Sequence, residues 1–169
     1  MSMILEASLS RVWQHFNSDR PVALLTGFRG EYTKEENLRR NAALAADIRN
    51  LGLGFFYVDG YWIENQGTLE ERKVSEDSIF VIGEPGTDEK FLDTIVKFGR
   101  QYDQDGVLVK TGDTVAIYDK NGEVLYPLNK LNPGKLGTMY TKLRNNKHTN
   151  TFVFTEERVD RGWAGRFTN

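Results

Sequence analysis

Apolar and polar residues alternate along this chain in blocks that change period several times, and those changes outline its elements. Leu5, Leu9, Val12 or Trp13, and Phe16 recur at helical spacing, so an amphipathic helix is expected over residues 5–16. Asp19-Arg20-Pro21 ends it, and Val22-Ala23-Leu24-Leu25 follows as a short continuous apolar run, the pattern of a buried central strand. The chain leaves that strand through the polar segment Thr26-Gly27-Phe28-Arg29-Gly30. Thr33 with Glu36 three residues on predicts a capping box, in which hydroxyl and carboxylate satisfy each other's orphan backbone donors. The helix so started should run to about Asn50, where Leu51-Gly52-Leu53-Gly54 stops it.

Phe55-Phe56-Tyr57-Val58 reads as a second strand ending at Asp59-Gly60. Strand, helix and strand in succession predict a βαβ unit, with two parallel strands and a right-handed crossover. After Tyr61-Trp62-Ile63-Glu64, residues Asn65 to Lys73 read as a charged loop, and Ser78-Ile79-Phe80-Val81-Ile82 as a third strand. Gly83-Glu84-Pro85-Gly86 closes it, and Phe91, Leu92, Ile95, Val96 and Phe98 give a second core helix. Val107–Val109 and Val115–Tyr118 are further strands. Asp119-Lys120-Asn121-Gly122 predicts a type I′ hairpin turn into Glu123–Tyr126. Residues 127–150 are polar, with a short helix expected around Met139–Leu143, then a last strand at Thr151–Phe154 and an extended tail from Arg161 to Phe167.

The expected architecture is thus one α/β domain over residues 1–169. It has a mixed, mostly parallel central sheet with flanking helices, a core over 22–126, a C-terminal β-hairpin and an extension over 127–169.

Composition narrows the function classes. With 39% hydrophobic and 27% charged residues among 169, the chain can build one core. The formal charge of −2 gives no global attraction to nucleic acid or acidic membranes. The charges are unevenly spread. Glu64 to Asp93 holds nine acidic residues against three basic ones, whereas Val124 to Thr155 has no acid and five bases, Lys130, Lys135, Lys142, Arg144 and Lys147. The absence of cysteine excludes disulfides, thiolate nucleophiles and cysteine metal sites. The first residues lack a signal-peptide pattern, and no run approaches the roughly 18 apolar residues of a membrane span. A cytoplasmic protein is expected.

Helical phase makes the capped helix the first candidate for chemistry. Asn37, Asn41, Leu44, Ile48 and Leu51 share one face, so two amides lie on the core-facing stripe beside the Thr26 loop. With Thr26, Arg29 and Arg40 nearby, this junction could hold an anionic or nucleotide-like small molecule at a helix N-terminus. The structural alternative is that both amides bind loop carbonyls and fasten a long connection. Thr-Gly-Phe-Arg-Gly matches neither a P-loop nor G-x-G-x-x-G.

Trp62, Glu64, Glu76 and Ser78 form a second group, whose carboxylates could serve acid–base chemistry or a metal, or be merely solvated. In a parallel sheet Glu64 falls on the Thr26 side and Glu76 at the opposite edge, unless the strand of Glu76 is antiparallel. Gln104, within Gln101-Tyr102-Asp103-Gln104-Asp105, belongs to a third polar segment. His15 and His148 stand too far apart for a zinc set, and no metal is expected. Tyr140, Trp163 and Phe167 are too sparse to stack bases beside the basic stretch, so nucleic acid is not an expected partner.

Thr26, Glu36-Asn37, Arg40-Asn41 with Leu44, Trp62-x-Glu64, Glu76-x-Ser78-x-Phe80-Val81 and Gln104-Asp105-x-Val107-Leu108 occur in that order. In this the chain resembles, over roughly residues 20–125, a small α/β family of unknown function found in bacteria and tailed bacteriophages. It departs from the bacterial pattern at Gly27-Phe28-Arg29, where Ala-x-Asn-Pro is common, and is closer to the phage version. The resemblance implies a phage or prophage context and the same polar residues as the site; it supplies no reaction, and the cofactor stays unknown. The expected function is therefore an uncharacterised phage accessory protein binding an anionic or nucleotide-like small molecule, with enzymatic activity left open. The alternatives are a non-enzymatic protein that binds a host or phage protein, as in anti-defence, and a minor virion component.

Overall fold

The structure is a computed structural model and describes residues 10–65, 67–128, 140 and 152–159. In chain order the elements are α1 (Ser10–Phe16), β1 (Val22–Leu25), α2 (Lys34–Asn50), β2 (Gly54–Glu64), β3 (Arg72–Ile82), α3 (Asp88–Gln101), β4 (Val107–Thr111), β5 (Thr114–Tyr118), β6 (Val124–Leu128) and β7 (Phe152–Val159). They build a seven-stranded sheet in the order β6-β5-β4-β1-β3-β2-β7.

Every pairing in that sheet is antiparallel, which corrects the expectation of a mostly parallel one. The β1–α2–β2 unit does exist, and because β3 is antiparallel to both strands, β1 and β2 run the same way. They are not neighbours, however, since β3 lies between them. Likewise β1 separates β3 from β4. The result is the split βαββαβ arrangement of ferredoxin-like domains, extended by a hairpin at one edge and β7 at the other.

The insertion of β3 depends on a hairpin that the charged residues obscure. Strands β2 and β3 are each 11 residues long and pair without interruption from Gly54↔Ile82 to Glu64↔Arg72. Asn65 and Gly67 take positive φ in the connection, where a short polar side chain or no side chain meets least hindrance. Asp59-Gly60, expected to end the strand, lies inside it, at a bulge against β7. At the other hairpin only Gly122 has positive φ among the described turn residues, so the turn is not type I′, which needs it at both central positions. Asp119 Oδ1 instead accepts from the amides of Asn121 and Glu123.

One sheet face packs under α2 and α3, burying Leu25, Leu44, Ile48, Ile79, Val81, Phe91 and Ile95 among others. The other face buries Val22, Leu24, Phe56, Val58, Phe80 and Ile117 against Val12 and Phe16 of α1 and against Tyr140. Phe80 anchors this second layer, with the rings of Phe56 and Phe16 centred 5.0 and 5.5 Å away. His15 packs near the same rings, as a core-side histidine would. Asn37, Asn41, Leu44 and Ile48 are buried along one stripe of α2 as expected, whereas Leu51 caps the helix and is 59% exposed. The basic stretch 130–147 apart from Tyr140, His148 and the tail lie outside the described residues.

A polar junction at the end of the first strand

The end of β1 carries the densest buried polar network described in the chain. Thr26 is buried, and its hydroxyl donates to the Asp77 carbonyl at 2.7 Å while accepting from the Phe28 amide at 3.1 Å. Asn41 reaches across from α2. Its Oδ1 accepts from the Gly27 amide at 2.6 Å and from Thr26 Oγ1 at 3.3 Å, and its Nδ2 donates to Asp77 O at 2.9 Å. Asn37, one turn earlier, accepts from the Arg29 amide at 2.8 Å and returns a bond to the Arg29 carbonyl at 3.0 Å. Both amides therefore fasten residues 26–29 to α2, as the structural alternative requires.

Gly27 makes the close approach possible. A Cβ there would stand 3.0 Å from the Arg40 carbonyl carbon and 3.1 Å from Asn41 Oδ1. Arg40 closes the junction from outside. Its Nε donates to Gly27 O at 2.7 Å, Nη2 donates to Tyr102 O at 2.5 Å, and its guanidinium lies over the Tyr32 and Tyr102 rings. Gln104 Nε2 ties the same two loops by donating to Phe28 O and Tyr102 O.

Around this junction runs a charged rim. Arg29 pairs with Glu31 at 2.9 Å and with Asp103 Oδ2 at 3.5 Å, and Lys120 also bonds Asp103. The bond that Arg29 donates to Glu31 raises the Arg29 pKa, and Arg29 in turn lowers that of Glu31. Asp103 is lowered chiefly by Lys120, then by the Arg29 charge. Burial, reinforced by the bond donated to Asp47 at 2.7 Å, pushes the Tyr102 phenol well above its ordinary range. Between α2 and Tyr102 an open cleft of about 380 Å³ is lined by Tyr32, Glu36, Arg39, Arg40, Ala43 and Tyr102. Glu36 is occupied there by the capping box with Thr33.

The antiparallel β3 brings Glu76 and Ser78 to this end of β1, where a parallel strand would have carried Glu76 to the far edge. Leu25 pairs with Ile79, so Thr26 continues opposite Ser78. Glu76 and Ser78 point to the same sheet face, since residues two apart share a face. Glu76 is 6% exposed and its Oε2 accepts a 2.8 Å bond from the Tyr140 hydroxyl. Tyr140 is itself fully buried, so it is not available to stack a base. Ser78 Oγ is buried with no hydrogen-bond partner among the described residues.

Trp62 and Glu64 are not part of this group. Gly60 is the β2 residue opposite Glu76, and Glu64 lies four residues beyond it, roughly 13 Å along the strand at about 3.3 Å per residue. Among the described residues no group of three or more His, Asp or Glu could hold a metal ion. Tyr32, Lys120 and Tyr140 are additions that sequence patterning did not select for this region, whereas Tyr102 and Asp103 belong to the third polar segment that it did name. Only Asp103, a non-glycine residue at φ 55°, has a backbone signal, and that too is visible only in the fold.

The model of the S-adenosylmethionine lyase family matches residues 23–164. The chain belongs to the S-adenosylmethionine lyase family. This corrects its placement in a family of unknown function, and with it the expectation of an uncharacterised accessory protein, a host-interaction protein or a virion component. A solved phage S-adenosylmethionine lyase in complex with S-methyl-5′-thioadenosine is 19% identical, with a TM-score of 0.30, covering 64% of this chain and 85% of that one. No curated protein matches. No described helix of this family member is long and apolar enough to cross a membrane.

Proposed function

We propose that this chain is a lyase that cleaves the C–S bond between the sulfonium sulfur and the methionyl Cγ of S-adenosylmethionine. The observation that carries the reading is the family match itself, whose span of 23–164 contains Thr26, Glu76, Gln104 and Tyr140. The reaction needs no added reactant. A carboxylate oxygen of the methionyl group attacks its own Cγ, the C–S electron pair passes to sulfur, and a neutral thioether, 5′-methylthioadenosine, departs. The five-membered lactone that forms carries no net charge from the consumed carboxylate, and no proton is transferred in this step.

Such a ring closure depends on holding a flexible chain in a folded conformation and on excluding water, which would compete for Cγ. The sheet face carrying Glu76 supports this role. It is buried under apolar residues, and its carboxylate offers negative charge to a cationic substrate where the dielectric is low. Thr26, Asn37, Asn41, Arg40 and Gln104 then act by fixing the loop that borders this face. Arg29 and Glu36 sit on the outer rim, and Trp62 and Glu64 belong to the far part of the hairpin.

Purified protein incubated with S-adenosylmethionine in ¹⁸O water, followed by mass spectrometry, tests the proposal. Methylthioadenosine and homoserine lactone, without ¹⁸O in the freshly formed lactone, are the expected products. Label at the homoserine hydroxyl from the earliest time points would mean hydrolysis, and no consumption of substrate would refute the lyase reading. Glu76→Gln keeps an acceptor for Tyr140 while removing the charge, and should lower kcat/KM by about 100-fold, the scale of one lost electrostatic contact.

A further inference from the structure

We propose that Ser78 is a substrate-binding residue, and that with Glu76 it accepts hydrogen bonds from the α-ammonium group of the methionyl end. The inference rests on the lyase reading and specifies which part of the substrate meets this strip of β3.

It begins from an energetic anomaly. Serine on a buried strand normally satisfies its hydroxyl, because an unpaired buried polar group costs about 1–3 kcal/mol. Ser78 is 0% exposed and its Oγ has no partner among the described residues. The neighbouring hydroxyl, Thr26, is already committed to Asp77 O and the Phe28 amide. Alanine at position 78 would avoid the penalty. A serine kept at such a cost fits a group that arrives with a ligand.

The identity of that group follows from its surroundings. Two residues before Ser78 on the same face stands the buried Glu76 carboxylate. A buried carboxylate favours a cation at hydrogen-bonding distance over a neutral group. S-adenosylmethionine carries two cations. The sulfonium has no N–H or O–H and cannot bond a serine oxygen, whereas the ammonium has three donors and can serve both side chains. Anchored in this way, the amino-acid end keeps its carboxylate free to fold back on Cγ. Tyr140 belongs to the same buried cluster as Val58 and Phe80, the residues opposite Ser78 and two beyond it, and its hydroxyl already meets Glu76. The phenol thus holds one oxygen of the Glu76 carboxylate, and the ammonium is assigned to the side of Glu76 that faces Ser78.

The test is Ser78→Ala in the full chain, read out by thermal melting, by steady-state cleavage and by calorimetric titration with methylthioadenosine, which lacks the methionyl end. The expected result is an unchanged or raised Tm and a KM for S-adenosylmethionine raised at least 10-fold, on the scale of one charge-assisted hydrogen bond. Methylthioadenosine affinity should stay within twofold. An unchanged KM in an enzyme that cleaves the substrate would overturn the assignment of Ser78 alone. A parallel loss of methylthioadenosine affinity would overturn the ammonium in favour of the nucleoside. Wild-type protein that leaves S-adenosylmethionine intact removes the lyase reading, and this inference falls with it.

Discussion

The strongest stability prediction concerns Asn41, whose amide is the hub of the junction at the end of β1. Removing it does not orphan every partner. Thr26 Oγ1 still donates to Asp77 O at 2.7 Å, so that carbonyl stays served. The Gly27 amide is different, because Asn41 Oδ1 at 2.6 Å is its acceptor and the surrounding residues are buried. In Asn41→Ala the void left by the amide can admit a water molecule that accepts this bond, which limits the cost to about 1–2 kcal/mol. Asn41→Leu fills the void with apolar volume, excludes the water and imposes the full penalty of an unpaired buried N–H, about 3 kcal/mol. The assay is urea unfolding followed by circular dichroism, with leucine expected to be the worse substitution despite its better fit in size. At about 2–4 °C per kcal/mol for a domain of this length, the leucine variant should melt roughly 6–12 °C below wild type. Were Asn41 kept for a ligand alone, leucine would leave the free protein as stable as before or more so. A leucine variant within about 0.5 kcal/mol of wild type would therefore refute the fastening role.

Three further outcomes follow from other contacts. Gly27→Ala places a Cβ 3.0 Å from the Arg40 backbone, which a helix cannot readily yield, so denaturant unfolding should show a loss of about 1–3 kcal/mol. Lys110, buried on β4, donates to the carbonyls of Ser18 and Arg20; Lys110→Met leaves both short of a donor, and its Tm should fall by several degrees, at about 2–4 °C per kcal/mol. The acid limb of stability should carry a contribution from Asp103. Its folded pKa lies below its unfolded one, chiefly through Lys120, so its stabilisation is present above the unfolded carboxylate range and lost as pH falls through the lower folded value. Melting temperature against pH should thus decline less steeply below about pH 4 in Asp103→Asn than in wild type, with the difference shrinking in high salt because the group is exposed.

Local rules carried the sequence reading as far as local physics reaches. The capping box of Thr33 and Glu36, the buried run Val22–Leu25 and the amide stripe of α2 are all set by neighbours within a few residues, and all appear in the structure. Strand order is decided elsewhere, by the pairing of β3 between β1 and β2. The charged residues Glu70, Glu71, Arg72 and Lys73 hid the length of that pairing, because Arg72 and Lys73 lie in β3 yet read as part of a loop. Strand direction also decides which side chains reach the site. A parallel sheet puts functional groups at the carboxyl ends of strands and would have drawn Glu64 in and sent Glu76 away. The antiparallel β3 reverses only the second, delivering Glu76 and Ser78 beside Thr26; Glu64 does lie toward the Thr26 end, because β2 runs the same way as β1, but the hairpin carries it four residues beyond the level of Glu76. Tyr140 was out of reach for a related reason, standing 64 residues from Glu76 in a segment whose charge pattern pointed outward. Substrate identity lies further off still. Nothing in helical phase or capping distinguishes a sulfonium from any other cation; physics alone describes the junction as a well-fastened loop beside a buried carboxylate, and the name S-adenosylmethionine comes from the family match alone.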